Sequence, residues 1–161
     1  TWIELMDKMI VKKLQSLVEG ESNFIANTSN FSALIFDEWQ DLNWVGFYMY
    51  DGKELVLSAF QGKPACLRIP LGRGVCGTAF QNNETLIVED VHEFPGHIAC
   101  DAASNSEIVI PIQYDGNLIG VLDIDSPIKN RFSSEEGIVL EEMLEALIES
   151  SDIDKIINYY K

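Results

Sequence analysis

The 161-residue chain predicts an α+β domain, with helices gathered on one face of a central antiparallel sheet. Three observations carry this expectation. The clearest strand pairs are joined by tight turns, at Asp51-Gly52 and at Asp115-Gly116-Asn117, and only antiparallel neighbours can be joined so closely. The amphipathic helical segments lie toward the two ends of the chain. Hydrophobic side chains make up 47% of the sequence with no long polar or Pro/Gly-rich interruption, which suits one domain with a real core. A parallel doubly wound sheet, which needs long crossovers between strands, fits less well.

From Trp2 to Gly20 the residues Ile3, Met6, Ile10, Leu14 and Leu17 recur at three- and four-residue steps, so they predict one buried helical stripe, with Gly20 as its stop. A second helical region spans Asn23 to Trp39, with Asn30 able to cap a segment carrying Phe31, Leu34, Ile35 and Trp39, and the two helices are expected to pair. Trp44 to Tyr50 and Glu54 to Phe60 read as a hairpin, and Cys66 to Pro70 as a short strand ended by proline. Gly72-Arg73-Gly74 leads into a short helix, Val75 to Gln81, with Cys76 near its beginning. Thr85 to Glu89 is a strand, and Asp90 to Asn105 is an extended loop of the length that usually serves a site. Glu107 to Tyr114 and Leu118 to Asp125 give the best hairpin signal. Ser133 or Ser134 caps a long helix whose stripe is Ile138, Leu140, Met143, Leu144 and Leu147. The tail from Ser150 reads as a further helical turn or an appendage.

The net charge of -15 disfavours binding to nucleic acid or to an anionic membrane. Much of the acidity lies in Ser133 to Asp154, as expected of a solvated helix face. The longest apolar runs, Ile108 to Ile112 and Leu118 to Leu122, are far too short to span a bilayer, and with no secretory flanking features a cytoplasmic location is expected. Three cysteines, an odd number, argue against a structural disulfide framework and leave metal or thiol chemistry open. A structural zinc site needs paired ligands at tight spacing. His97 and Cys100 are the one such pair, so no metal is expected, and His92 and His97 read as loop hydrogen-bonders.

An isolated cysteine is ordinarily a small buried hydrophobe. Here Cys100 sits in the irregular loop beside Asp101, and Cys76 sits at the mouth of a helix, where free amides and the macrodipole favour thiolate. Thiols within reach of one another can be oxidised and rescued by disulfide exchange. Asp123 and Asp125 alternate on one strand and so share a sheet face. On pattern alone, capping the strand before Ser126-Pro127 is the simpler account. The alternative joins them with Glu107 into a carboxylate cluster able to hold a cationic amino group and to keep one carboxyl protonated. Trp44 is either ordinary core or the wall of such a pocket.

With these residues in view, the chain resembles the free methionine-(R)-sulfoxide reductase family, the catalytic branch of GAF domains. The resemblance covers about residues 20–148 of a single domain spanning 1–161, with 149–161 as a C-terminal extension. It rests on Asn43-Trp44-Val45-Gly46-Phe47-Tyr48, Ala65-Cys66-Leu67-Arg68-Ile69-Pro70, Gly72-Arg73-Gly74-Val75-Cys76-Gly77, Gly96-His97-Ile98-Ala99-Cys100-Asp101 through Glu107, and Gly120-Val121-Leu122-Asp123-Ile124-Asp125-Ser126. It implies a GAF fold whose terminal helices cover one sheet face while loops and a short helix cover a ligand pocket on the other. It further implies that Cys100 is the nucleophile, that Cys66 is the main resolving thiol, and that Cys76 can form an alternative or later disulfide with Cys100. Glu107 and Asp125 are the implied proton donors, and Glu107, Asp123 and Asp125 hold the substrate amino group. Trp44 packs on its S-methyl end. No bound cofactor is implied, thioredoxin is the external reductant, and homodimer contacts are common among GAF domains. The competing expectation is a non-catalytic GAF domain that binds a small molecule or senses oxidation.

Overall fold

Strict alternation of side chains along the strands divides this chain into two packed layers on either side of one sheet. The computed structural model describes residues 1–161, and only the side chain of Ile3, expected in the first helical stripe, lies outside the described residues. Six strands, β1 (Trp44–Tyr50), β2 (Leu55–Gly62), β3 (Arg68–Ile69), β4 (Leu86–Val88), β5 (Ser106–Tyr114) and β6 (Asn117–Ser126), form one sheet in the order β3-β2-β1-β6-β5-β4. Every neighbouring pair is antiparallel. The expected hairpins form at both places. Asp115 and Gly116, at φ 51 and 76, make a two-residue turn of the mirror-image type that matches strand twist.

Helices α1 (Trp2–Val18), α2 (Phe24–Glu38), α4 (Ser134–Ser150) and α5 (Ile153–Tyr160) share a core with the inward side chains Val45, Phe47, Met49, Ile108, Ile110, Leu122 and Ile124. The short helix α3 (Gly74–Asn82) packs on the other face through Val75, Cys76, Ala79 and Phe80, against Trp44, Tyr48, Val109 and Val121. A 3-10 turn at Val91–Glu93 opens the long loop that leads to β5. Among the described residues, no helix is long and apolar enough to cross a membrane.

Three local expectations are corrected. In α1 the buried stripe is Ile10, Val11, Leu14 and Val18, whereas Met6 and Leu17 are exposed. At 100° per residue the two valines turn the buried face about a quarter turn away from Met6 and Leu17. In α4, Ile138 is 57% exposed, because it lies nearly opposite Leu140, Met143, Leu144 and Leu147 on the helical wheel. Asn30 lies exposed in the middle of one continuous α2; the cap is Asn23, whose side chain accepts from the Ala26 amide at 2.9 Å. Ser133 caps α4 through a reciprocal capping box with Glu136. The tail is helical: Ile153 and Ile156 of α5 enter the core, and the Tyr160 hydroxyl donates to Ser58 Oγ at 2.8 Å.

Candidate active site

The register of the three central strands builds the site. Trp44 pairs with Asp125 across β1 and β6, and Asp125 pairs with Glu107 across β6 and β5. One step along, Asp123 pairs with Gly46 on one side and Val109 on the other. All of these side chains face away from the helical core, because their neighbours Val45, Ile108 and Ile124 face into it. Gly46 is required beside Asp123: a Cβ there would lie 2.4 Å from Phe60 Cβ and 2.6 Å from Trp44 Cη2. The Trp44 ring therefore lies flat over this row, stacked between Phe60 and Tyr48 at centroid distances of 5.3 and 5.8 Å. Its indole N–H donates to the Lys63 carbonyl at 3.2 Å.

The sulfurs arrive from three separate segments. Cys100, on the loop after the 3-10 turn, is joined to Cys66, ahead of β3, in a disulfide with a Cα–Cα distance of 5.4 Å. The Tyr48 hydroxyl donates to the Cys66 carbonyl at 2.9 Å and fixes that segment over the sheet. Cys76 is in the first turn of α3, which sits close beneath β3 because Gly77 has no side chain; a Cβ there would lie 2.4 Å from the Pro70 carbonyl. Trp44, Cys76, Cys100, Glu107, Asp123 and Asp125 all line a single cavity of about 40 Å³; Cys66 is not part of its lining, though its neighbour Ala65 and its disulfide partner Cys100 are. The pairing of Cys100 with Cys66 also removes the His97 and Cys100 spacing from consideration as a ligand pair in this state.

Burial decides the protonation of this cavity. Glu107 and Asp123 are buried, and Asp125 is half-buried beside them. Desolvation first, and then the charges of Asp123 and Asp125, push the Glu107 carboxyl well above the usual carboxylate range. Asp125 rises well above it through burial and the charge of Asp123. Asp123 is raised by burial too, but its neighbours Glu107, Cys76 and Asp125, as hydrogen-bonding groups, oppose the rise, so it is raised least of the three. The expectation that Cys76 is inclined to thiolate is overturned. It is 4% exposed, its Sγ donates to Glu107 Oε2 at 3.9 Å, and burial together with three carboxylates pushes the thiol well up. A helix terminus supplies about half a charge, too little against that environment.

Such a cavity can bind a cationic group and deliver a proton. Asp123 Oδ1 is buried without a hydrogen-bond partner among the described residues. Cys76 Sγ and carboxylate oxygens of Glu107 and Asp123 lie within 4.8 Å of one another, so the same donors could surround an ammonium or a metal cation. The thiol would have to lose its proton for the metal.

Tyr48, Ser104, Arg73, His97 and Ile98 also line the cavity, and the side-chain pattern of the sequence does not point to the last four. Tyr48 was within reach: four residues beyond Trp44 on the same strand, it must share its face. The others sit on irregular backbone, where no period exists to place them. His97 is held below the ordinary histidine range by burial and then by the neighbouring His92.

A GAF domain model matches residues 33–150 of the chain. The free methionine-R-sulfoxide reductase of Escherichia coli is 49% identical over 147 residues, covering 89% of each protein. A solved structure of fRMsr of Staphylococcus aureus in complex with substrate is 49% identical, with a TM-score of 0.85 over 89% of this chain and 94% of that one. The free methionine-R-sulfoxide reductase of Neisseria meningitidis, also solved with its substrate, is 41% identical, with a TM-score of 0.86 over 89% and 87% of the two chains.

Proposed function

Because the chain belongs to the GAF family and, within it, to the free methionine-R-sulfoxide reductases, we propose that it reduces the R-sulfoxide of free methionine to methionine. The observation that carries this reading is the convergence of Cys100 with three buried carboxyls and Trp44 on one cavity. The Cys100 thiolate attacks the sulfoxide sulfur to form a sulfur–sulfur bond, and a protonated carboxyl, Glu107 or Asp125, gives its proton to the oxygen, which takes a second proton and leaves as water. That water then attacks Cys100 Sγ and breaks the sulfur–sulfur bond, so methionine leaves with the bonding pair, a carboxylate takes back a proton, and Cys100 is left as a sulfenic acid. The Cys66 thiol then displaces water from that sulfenic acid, forming the Cys66–Cys100 disulfide. A dithiol reductant of the thioredoxin class returns both sulfurs to thiols.

Asp123 takes the substrate ammonium, which supplies the donor its buried oxygen lacks. Trp44 packs on the S-methyl end, and a cavity this confined excludes methionine held within a protein chain. Cys76, protonated and sealed beneath the carboxyls, is a hydrogen-bond donor to them in the disulfide state. The test follows NADPH oxidation through thioredoxin reductase and thioredoxin with each sulfoxide epimer supplied separately. Turnover of the R epimer alone, abolished by Cys100→Ser in a folded protein, is the expected result. Full activity of that variant, or equal use of the S epimer, would refute the assignment.

A further inference from the structure

Cys100 is carried by an irregular loop, so something must hold its sulfur against the cavity when the disulfide is open. One side chain outside the reacting set ties that loop to the sheet. Asn43, the residue just before β1, donates through Nδ2 to Asp101 Oδ2 at 3.0 Å and to Ser104 Oγ at 3.0 Å, and its backbone N–H donates to the Asp125 carbonyl at 3.0 Å. We propose that Asn43 is a positioning residue: its carboxamide latches residues 101–104 to the entry of β1 and so sets Cys100 against Trp44 and Asp125. The inference rests on the reading of Cys100 as the nucleophile.

The chemistry fixes which way the latch faces. The Asp101 carboxylate accepts from the Ala103 amide at 2.9 Å and can only accept, so Asn43 must turn its NH₂ toward the loop. Its Oδ1 is left buried with no partner. A buried orphan carbonyl is costly, and the arrangement persists because turning the amide over would set two acceptors face to face. The remaining hydrogen-bonded ties of the loop lie at its far ends, where Val91 N–H donates to the Asn105 carbonyl at 2.9 Å, His92 Nε2 meets Asn105 Oδ1 at 3.0 Å, Asn105 N–H donates to the Ser126 carbonyl at 2.7 Å and Asp90 pairs with Lys129. Between His92 and Asp101 the loop is held to the sheet by the apolar packing of Phe94 and Ile98 and by no side-chain hydrogen bond among the described residues, so after reduction Asn43 is the nearest polar tie to Cys100.

The experiment uses Asn43→Asp, Asp101→Asn and their combination in the whole chain. The single Asn43→Asp change opposes two carboxylates and is expected to lower kcat/KM for the R-sulfoxide by about 10- to 100-fold, the usual consequence of misplacing a reacting atom by about an ångström. It should also change the rate at which iodoacetamide alkylates Cys100 in the reduced protein, measured by peptide mass. The double variant rebuilds the bond with donor and acceptor exchanged, and both readouts should return toward wild type. A merely structural residue would not show that exchange. If Asn43→Asp leaves both readouts unchanged, or the double variant is no better than the single one, the latch is wrong. Should Asn43→Asp fail to fold, Asp101→Ala opens the same bond from the loop side, and unaltered Cys100 reactivity there overturns the proposal. Alkylation needs no sulfoxide, so a wild-type protein inert toward the sulfoxide would sink the proposed reaction while the latch is still judged.

Discussion

Reducing the Cys66–Cys100 bond should lower the stability of the fold by an amount its loop length sets. The bond closes a segment with a sequence separation of 34. In the chain-entropy account, a loop of that length removes roughly 12.6 cal/mol/K from the unfolded ensemble, or about 4 kcal/mol at 25 °C. For a domain of this size that corresponds to a fall in Tm of about 8–15 °C. The alternative pairing, Cys76 with Cys100, has a separation of 24 (100 − 76). It would give about 3.4 kcal/mol, so the magnitude does not tell the pairs apart. The variants do. Thermal unfolding followed by circular dichroism, with and without a phosphine reductant, should show the full shift in wild type and in Cys76→Ser, and none in Cys66→Ser. A thiol titration must confirm all three cysteines free in the reduced wild-type sample. Loss of the shift in Cys76→Ser, or a shift below about 2 °C in fully reduced wild type, would refute the loop-length reasoning.

The folded state holds protons on Glu107, Asp123 and Asp125 that the unfolded chain releases near pH 4, so their contribution is fully present below that pH and is lost as pH rises through the elevated folded values. Measured as Tm against pH, Glu107→Gln should therefore flatten the decline above pH 4; an identical slope would contradict it. Trp44→Ala removes a side chain 1% exposed and stacked on two rings, and should cost about 3–5 kcal/mol in denaturant unfolding. A loss under about 1 kcal/mol would show that the ring is not packed as described. In the reduced protein, Cys76 should resist iodoacetamide under conditions that alkylate Cys66 and Cys100, since its thiol is buried and its pKa pushed up. Equal labelling of all three would mean that the cavity floor opens readily.

Local pattern in the chain is enough for the antiparallel sheet, both hairpins, the capped α4 and the shared face of Asp123 and Asp125. These follow from local rules: turn residues with positive φ at Asp115-Gly116, period-two alternation at Asp123 and Asp125, and the Ser133 and Glu136 capping box; Trp44 and Glu107 join that face only through the register of β1 and β5 on β6. The motifs also led to Cys100 and Cys66, through resemblance to a family and not through any spacing. Ile138 falls outside the α4 stripe on the helical wheel itself, whereas the exposure of Met6 and Leu17 is not legible in the period of α1, because the angle at which a helix meets its neighbours decides which flank is buried. Only tertiary structure decided the state of Cys76. Its position in the chain signals a helix N-terminus, but its ionisation depends on carboxylates more than thirty residues away that the sheet register sets against it. The same holds for Asn43, whose partners Asp101 and Ser104 lie on irregular backbone. Electrostatic cost and hydrogen bonding act through space between distant segments, and no pattern along the chain encodes those distances.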